Sequence, residues 1–340
     1  MNRHASVKIC AVLIVLFSGF FSTAALSAAQ WANPGLLLSA DDVKKNINKA
    51  DWVVVDCRDL KDYAKGHIPG AISLGKRCKK ALRDDTARVW RDTSKYETLL
   101  GKVGIGNNSH VVFYYGDMKT LTDATVGFWI MEYLGHDKVY LLNGGLDAWR
   151  KGGNRLDNNP VKKPATTYKA KLVSSRFGST DEVLQIARGE ANPSEQLIDS
   201  RTSNEHKGKD IRAIRGGHVP NTTVNVSHLE TLAQEKNPKT GKMEAVAYLD
   251  PEAASKAFAG LDKNKRTLAY CQTGTRSTLT YVQLRALGFK DPANWDESWR
   301  VYGSHLDTPV EDEQWYNFAS VNKKIKNLEK KVQELEAKSK

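Results

Sequence analysis

Cysteine is scarce in this sequence: there are four among 340 residues, and no Cys-x-x-Cys. That excludes a thioredoxin-like dithiol motif and a zinc site built on paired thiols. Long apolar runs are nearly absent as well. The run that stands out, "ICAVLIVLFSGFF" from Ile9, has 13 residues, too short to span a bilayer comfortably. It follows the basic stretch "MNRHASVK" and precedes "STAALSAAQ", with Ser27 and Ala29 at the −3 and −1 positions of a cut before Gln30. The pattern predicts a Sec-type signal peptide over 1–29, the alternative being an uncleaved anchor. Cys10 lacks the small residues before it that a lipoprotein site needs, so no lipid anchor is expected. The mature chain is expected to be soluble, with no membrane span, and periplasmic if the source is Gram-negative.

Acidic residues are in deficit, 39 Asp and Glu against 51 Lys and Arg, for a net +12. Loss of Arg3 and Lys8 with the leader leaves +10, and +4 of that sits between Val321 and Lys340, which hold seven Lys and three Glu. Charge alone would admit nucleic acid as a partner. Export argues against it, and anionic small molecules or an anionic membrane surface fit better.

What is present is an internal repeat. "DWVVVDCRD" and "SEQLIDSRT" each read as a β run ending in Asp-x-Arg. "GHIPG" and "GHVPN" mark matched turns, and "HVVFYYGD" and "RTLAYCQTG" a matched later strand. The helical patterns that follow close on Gly135 and Gly288. The offsets are 143 (Asp56 to Asp199), 151 (His67 to His218), 156 (Tyr115 to Cys271) and 153 (Trp149 to Tyr302). Near-constant spacing over four landmarks in one order marks a duplicated unit. Each copy alternates β runs with helical patterns, which predicts parallel strands joined by crossovers. The expected fold is α/β, with two domains, each an open, mostly parallel sheet with helices on both faces. The boundaries expected are 36–152 and 173–318, joined by the Gly-, Pro-, Asn- and Lys-rich linker 153–172. The tail 319–340 carries Val321, Ile325, Leu328, Val332 and Leu335 at spacings of 4, 3, 4 and 3, a heptad seam. It predicts a helix that either drives homo-oligomer formation through 321–335 or lies on its own domain.

Chemistry concentrates in "AYCQTGTRSTLTYVQLRALGF" from Ala269. Cys271 ends a strand directly before a helix, where open α/β sheets bind ligands. The turn Gln272-Thr273-Gly274-Thr275-Arg276 would curl its N–H groups inward around the thiol. Gly274 is the position expected to need positive φ. The helix N-terminus near Ser277 and Thr278 would favour the thiolate, the nucleophilic form, and Arg276 adds positive charge beside any anionic substrate. A buried inert cysteine is the plainer alternative, but polar loop neighbours argue against it.

The loop Cys-x-x-Gly-x-Arg, the paired Asp-x-Arg, the paired Gly-His-[Ile/Val]-Pro and "LNGGLDAW" resemble the rhodanese family of sulfurtransferases in its tandem-domain form, over about Leu36 to Glu311. The resemblance implies a thiolate at Cys271 that takes a sulfane sulfur from a small anionic donor as a persulfide and passes it to a thiophilic acceptor, cyanide or a thiol. It implies no metal and no organic cofactor. The family's active loop has six residues including the Cys, as Cys271 to Arg276 has. A phosphatase of related fold would need Cys-x5-Arg, one residue longer. A sulfur carrier without turnover is the other rival. The first copy has Tyr114-Tyr115 and no Cys there, so it is expected to be inactive. The neutral Gln272 and Thr273 leave thiosulfate and 3-mercaptopyruvate both open as donors, with thiosulfate favoured. Glu205 stands where thiosulfate-type members often place a substrate-binding Arg, so Arg212 or Arg215 is considered as an anion helper, Arg215 being the choice. Asp199 and Arg201, like Asp56 and Arg58, are expected to brace loops rather than react. Cys57 and Cys78 could form a disulfide, which would leave Cys271 as the only free thiol; the sequence leaves this open.

Overall fold

A computed structural model describes residues 30–338; the leader lies outside the described residues. Five short strands build the first sheet: β1 (Leu37–Leu38), β2 (Trp52–Asp56), β3 (Ile72–Ser73), β4 (His110–Tyr114) and β5 (Val139–Leu142). They lie in the order β1-β5-β4-β2-β3, and every pairing is parallel. The central strands are apolar in their interiors ("WVVVD" is buried at all five positions and polar only at its closing Asp56), because helices cover both faces.

The second half repeats the plan. β6 (Glu195–Asp199), β8 (Val224–Asn225), β11 (Arg266–Tyr270) and β12 (Asp291–Asn294) form a parallel sheet in the order β12-β11-β6-β8. The place of β1 is taken by a single parallel bridge, Phe177 to Asn294. Two antiparallel pairs are added. One is the hairpin of β9 (Leu232–Lys236) and β10 (Met243–Tyr248); the other joins β7 (Arg215–His218) to β13 (Glu311–Trp315). The first half shows the second pairing only as the bridge His67 to Asp157. A 21-residue helix, Phe318–Lys338, ends the described chain.

The halves share a core. The helix Leu121–Tyr133 is buried on nearly every side, since it lies between its own sheet and the helix Ser277–Ala286 of the second half. Leu279, Tyr281 and Val282 join Phe113, Trp129 and Ile130 in one cluster, and Leu232 and Tyr248 of the added hairpin reach the same cluster. Polar groups buried in this seam are paired across it. Glu132 accepts from the Tyr281 hydroxyl and takes Arg285 in a two-pronged pair (2.8 Å at Nη2), and the Thr125 and Thr278 hydroxyls meet at 2.8 Å. Removing one partner of such a pair would strand a buried charge, so the seam fixes the relative placement of the halves. Residues 153–173 follow the first half, with Thr166, Lys171 and Val173 donating to the carbonyls of Gly101, Leu134 and Tyr133. Cys57 and Cys78 are joined in a disulfide, and among the described residues Cys271 is the free cysteine.

Candidate active site

Cys271 sits at the carboxyl end of β11, the central strand, and is fully buried. Residues 271–276 turn back over it before the helix Ser277–Ala286 begins. Gly274 has φ +66°, and a Cβ there would lie 2.4 Å from the Asp296 carbonyl, so the turn needs glycine for both reasons. Burial pushes the Cys271 thiol up. The Arg276 guanidinium, the N–H groups of Ser277 and Thr273 and the Ser277 hydroxyl outweigh it, and the net shift is below the usual thiol value. The Ser277 hydroxyl lies 3.6 Å from the sulfur.

The loop is held from three sides. Ser298 is the first anchor: its Oγ accepts the N–H groups of Cys271 (3.1 Å) and Gly274 (3.0 Å) and donates to the Trp295 carbonyl (2.7 Å). It does so from φ +52°, a conformation costly for a non-glycine residue. The second anchor is Glu205, which takes both terminal nitrogens of Arg276 at 2.7 Å. Burial raises the Glu205 carboxyl, but Arg276 and the Thr202 N–H bring it below its ordinary value. The third comes from the first half of the chain. Arg83, itself buried, bonds Thr275 Oγ1 at 2.7 Å and Asp296 at 3.2 Å, and the Val89 N–H donates to the same Asp296 at 2.7 Å. Burial pushes the Asp296 carboxyl up to about 6 despite Arg83.

Behind the loop, Arg201 forks onto Asp199 (2.7 Å at Nη2), donates to the Gly217 carbonyl at 2.8 Å and stacks over Trp299. Asp199 also accepts the Tyr270 hydroxyl at 3.0 Å and lies 2.9 Å from His206 Nδ1. This pair faces protein on all sides and braces the loops at the strand ends. His206 stacks on His218, whose Nδ1 lies 3.0 Å from the His206 carbonyl.

The structure separates the sequence-derived anion helpers. Arg215 is buried and fully engaged: its guanidinium meets the carbonyls of Gly303, His305 and Thr308, the Thr308 hydroxyl and Glu313. It lies away from the loop, because β7 pairs with β13 and draws it there. Arg212 stays beside the loop, half exposed and 3.6 Å from Glu205, while its carbonyl accepts the Gln272 amide at 2.8 Å. Arg276 is committed to Glu205, which the spacing alone did not reveal.

Further cationic groups beside the loop come from the first half. A cleft of about 660 Å³ opens over the loop, lined by Lys76, Lys79, Lys80 and Arg83 on one side and Thr273, Thr275 and Arg276 on the other. Asp84 and Asp85 also line it. Burial lowers the Lys79 ammonium below the usual lysine value. The disulfide partner Cys78 lies in the middle of this basic run, so the bond to Cys57 ties the run to the end of β2. The run "GKRCKKALR" was visible in the sequence, but nothing local says it faces Cys271.

At the matching place in the first half stands Tyr115, buried, its hydroxyl accepting the Gly144 N–H at 3.1 Å. The repeat is kept to the hydrogen bond: the Leu146 N–H donates to the Tyr115 carbonyl (2.8 Å) as the Trp299 N–H does to that of Cys271 (3.0 Å).

Comparison with known proteins agrees with this geometry. The "Rhodanese-like domain" family profile matches residues 39–152 and again 179–305. A protein of Mycobacterium leprae described as "Putative thiosulfate sulfurtransferase" is 32% identical over 293 residues, covering 82% of this chain and 99% of its own. One of the same description from Mycobacterium tuberculosis (strain H37Rv) is 34% identical over 288 residues, covering 81% and 97%. Among solved structures, the 3-mercaptopyruvate sulfotransferase SseA of Escherichia coli superposes with a TM-score of 0.64 at 20% identity, over 78% of this chain and 98% of that one, a likeness of fold.

Proposed function

The chain belongs to the rhodanese family in its tandem-domain, thiosulfate sulfurtransferase form, and from that premise we propose that it transfers the sulfane sulfur of thiosulfate through a persulfide on Cys271. The observation that carries the reading is a buried thiol, lowered below its usual pKa, ringed by a six-residue loop at the end of the central strand. In the first half-reaction the Cys271 thiolate attacks the outer sulfur of thiosulfate. The new S–S bond forms as the old one breaks, and sulfite leaves with the electron pair. In the second, cyanide or a thiolate attacks the outer sulfur of the persulfide and restores the Cys271 thiolate. The N–H groups around the sulfur stabilise both the starting and the regenerated thiolate.

Thiosulfate carries two negative charges and 3-mercaptopyruvate one carboxylate. With Arg276 paired to Glu205 and Lys79 lying 3.6 Å from the buried Asp123, Lys76 and Lys80 are the cleft lysines offered to the donor, and two cations favour the dianion over a single carboxylate. The spacing Cys-x4-Arg disfavours the phosphatase alternative. The first half, lacking a thiol, serves as the cleft's wall and loop brace. The leader pattern and the Cys57–Cys78 disulfide support a working place outside the cytoplasm.

Intact mass of the protein after incubation with thiosulfate tests the proposal. One added sulfur that cyanide removes, and that Cys271→Ser lacks, is the expected result. No sulfur gained from thiosulfate, or gain only from 3-mercaptopyruvate, would overturn the donor assignment; one loading without multiple turnover would make the protein a carrier.

A further inference from the structure

The C-terminal helix Phe318–Lys338 buries no residue although it is 21 residues long. Its apolar side chains are not scattered. Phe318, Ile325, Leu328, Val332 and Leu335 lie in one stripe and are 46–66% exposed, with half-buried Val321 completing the pattern. A helix of this length gains little from its own hydrogen bonds in water, and helices in folded proteins are held chiefly by what their apolar face packs against. At the base, Ile214 and Trp315 are also exposed, and Tyr316 meets Phe318 edge-on at 4.8 Å.

The spacing sets the heptad. Phe318, Ile325 and Val332 fall at a, and Val321, Leu328 and Leu335 at d. Two of the three a residues are β-branched and two of the three d residues are Leu, the combination that favours two strands in parallel. The flanks then decide orientation. Position g holds Lys324, Lys331 and Lys338; position e holds Asn322, Glu329 and Glu336. In a parallel pair each g residue meets the e residue five positions on in the other helix, so Lys324 meets Glu329 and Lys331 meets Glu336, on both sides of the seam. In an antiparallel pair g faces g and e faces e, which opposes Lys to Lys and Glu to Glu. A membrane-surface helix would carry cations along both flanks of its apolar stripe, and here one flank is acidic.

We propose that residues 318–338 form a parallel, in-register two-stranded coiled coil with a second copy of this chain. Three heptads make a short seam, so the association depends on concentration. The helix follows β13, which is paired to β7 of the catalytic half, so each copy's seam is rooted in a fixed strand. The inference does not rest on the sulfur-transfer reading.

Sedimentation equilibrium of the mature full-length chain over a wide concentration range tests it. The expected result is a monomer–dimer equilibrium, with Leu328→Asp monomeric throughout and its sulfur-transfer rate, or its thermal midpoint if no activity exists, unchanged. On mild oxidation Leu335→Cys should cross-link to itself, which a parallel seam permits and an antiparallel one does not. The pair Lys324→Glu with Lys331→Glu, and the pair Glu329→Lys with Glu336→Lys, should each self-associate about tenfold more weakly and recover on mixing. A monomer at every concentration, a dimer indifferent to Leu328→Asp, a missing cross-link, or binding to phosphatidylglycerol vesicles without self-association would overturn it.

Discussion

Tyr115 and Cys271 occupy the same position in the two halves, and the residue behind each differs with it. Behind Tyr115 is Gly145, φ +57°, where a Cβ would lie 2.6 Å from the Tyr115 carbonyl and 2.8 Å from its ring. Behind Cys271 is Ser298, φ +52°, whose hydroxyl pins the loop. The backbone conformation is shared; the side chains have been exchanged as a pair. In the first half the tyrosine ring and carbonyl together leave no room for a side chain behind them. A cysteine leaves room for one, and that room holds the loop anchor. The bracing beneath is duplicated with little change: Arg58 forks onto Asp56 and reaches the Gly66 carbonyl, as Arg201 does to Asp199 and Gly217. The scaffold of the site therefore exists twice, and its free thiol, among the described residues, once.

The largest effect expected from breaking this asymmetry is at the thiol. Cys271→Ser should lower thiosulfate:cyanide sulfur transfer by on the order of a thousandfold or more. Adding Tyr115→Cys to that variant should restore nothing, because no six-residue turn encircles position 115. Restored turnover would show that the loop is dispensable.

Next comes the brace that only the second half receives. Arg83→Met leaves Asp296 buried without its cation, and unfolding by denaturant should register a loss of roughly 3–5 kcal/mol. The pH dependence has a definite sign. Asp296 has its folded pKa raised to about 6 from 3.8, so the folded state holds the proton more tightly. Its contribution to stability therefore falls as pH rises from near 4 to near 6 and is level above. Without Arg83 the decline should extend to higher pH; thermal midpoints measured across that range would show it.

Arg276 is tested best together with its partner. In Arg276→Gln with Glu205→Gln no buried charge is stranded, and the rate should fall about ten- to a hundredfold. Activity follows the thiolate, so the native rate should rise with pH with a midpoint below 9.0, and the double variant should move that midpoint upward. An unmoved pH profile would assign Arg276 a purely structural part.

Ser298→Gly copies the first half's residue into the second. It relieves the left-handed strain but strands two buried N–H donors, about 1–3 kcal/mol each before that relief. The relief, on the order of 1–3 kcal/mol, offsets only part of that loss, so the thermal midpoint should fall modestly while kcat drops more steeply. Smallest is the cleft: replacing Lys76, Lys79 and Lys80 by Gln should raise KM for thiosulfate severalfold, more at low salt, with kcat nearly unchanged.

Much of this was open to reading from the chain. Strands such as Trp52–Asp56 are apolar up to their closing Asp because both faces are covered, and the helices end near Gly135 and Gly288, at φ +78° and +82°, so local pattern places them. The strand–turn–helix context marks Cys271 and Gly274, and the resemblance to the rhodanese family supplies the significance of a six-residue loop. Arg215 went astray because a guanidinium's partners are set by strand pairing, here β7 with β13, and not by its distance along the chain. Glu205 on Arg276, Arg83 on Asp296 and the lysines over the loop are separated from the residues they serve by 71, 213 and roughly 190 positions. The sequence by itself determined the repeat, the candidate thiol and the turn around it, since those depend on neighbours in the chain. Tertiary structure alone decided which charges surround that loop, because burial and electrostatic pairing depend on distance in space, and the fold brings the first half's basic run against the second half's loop.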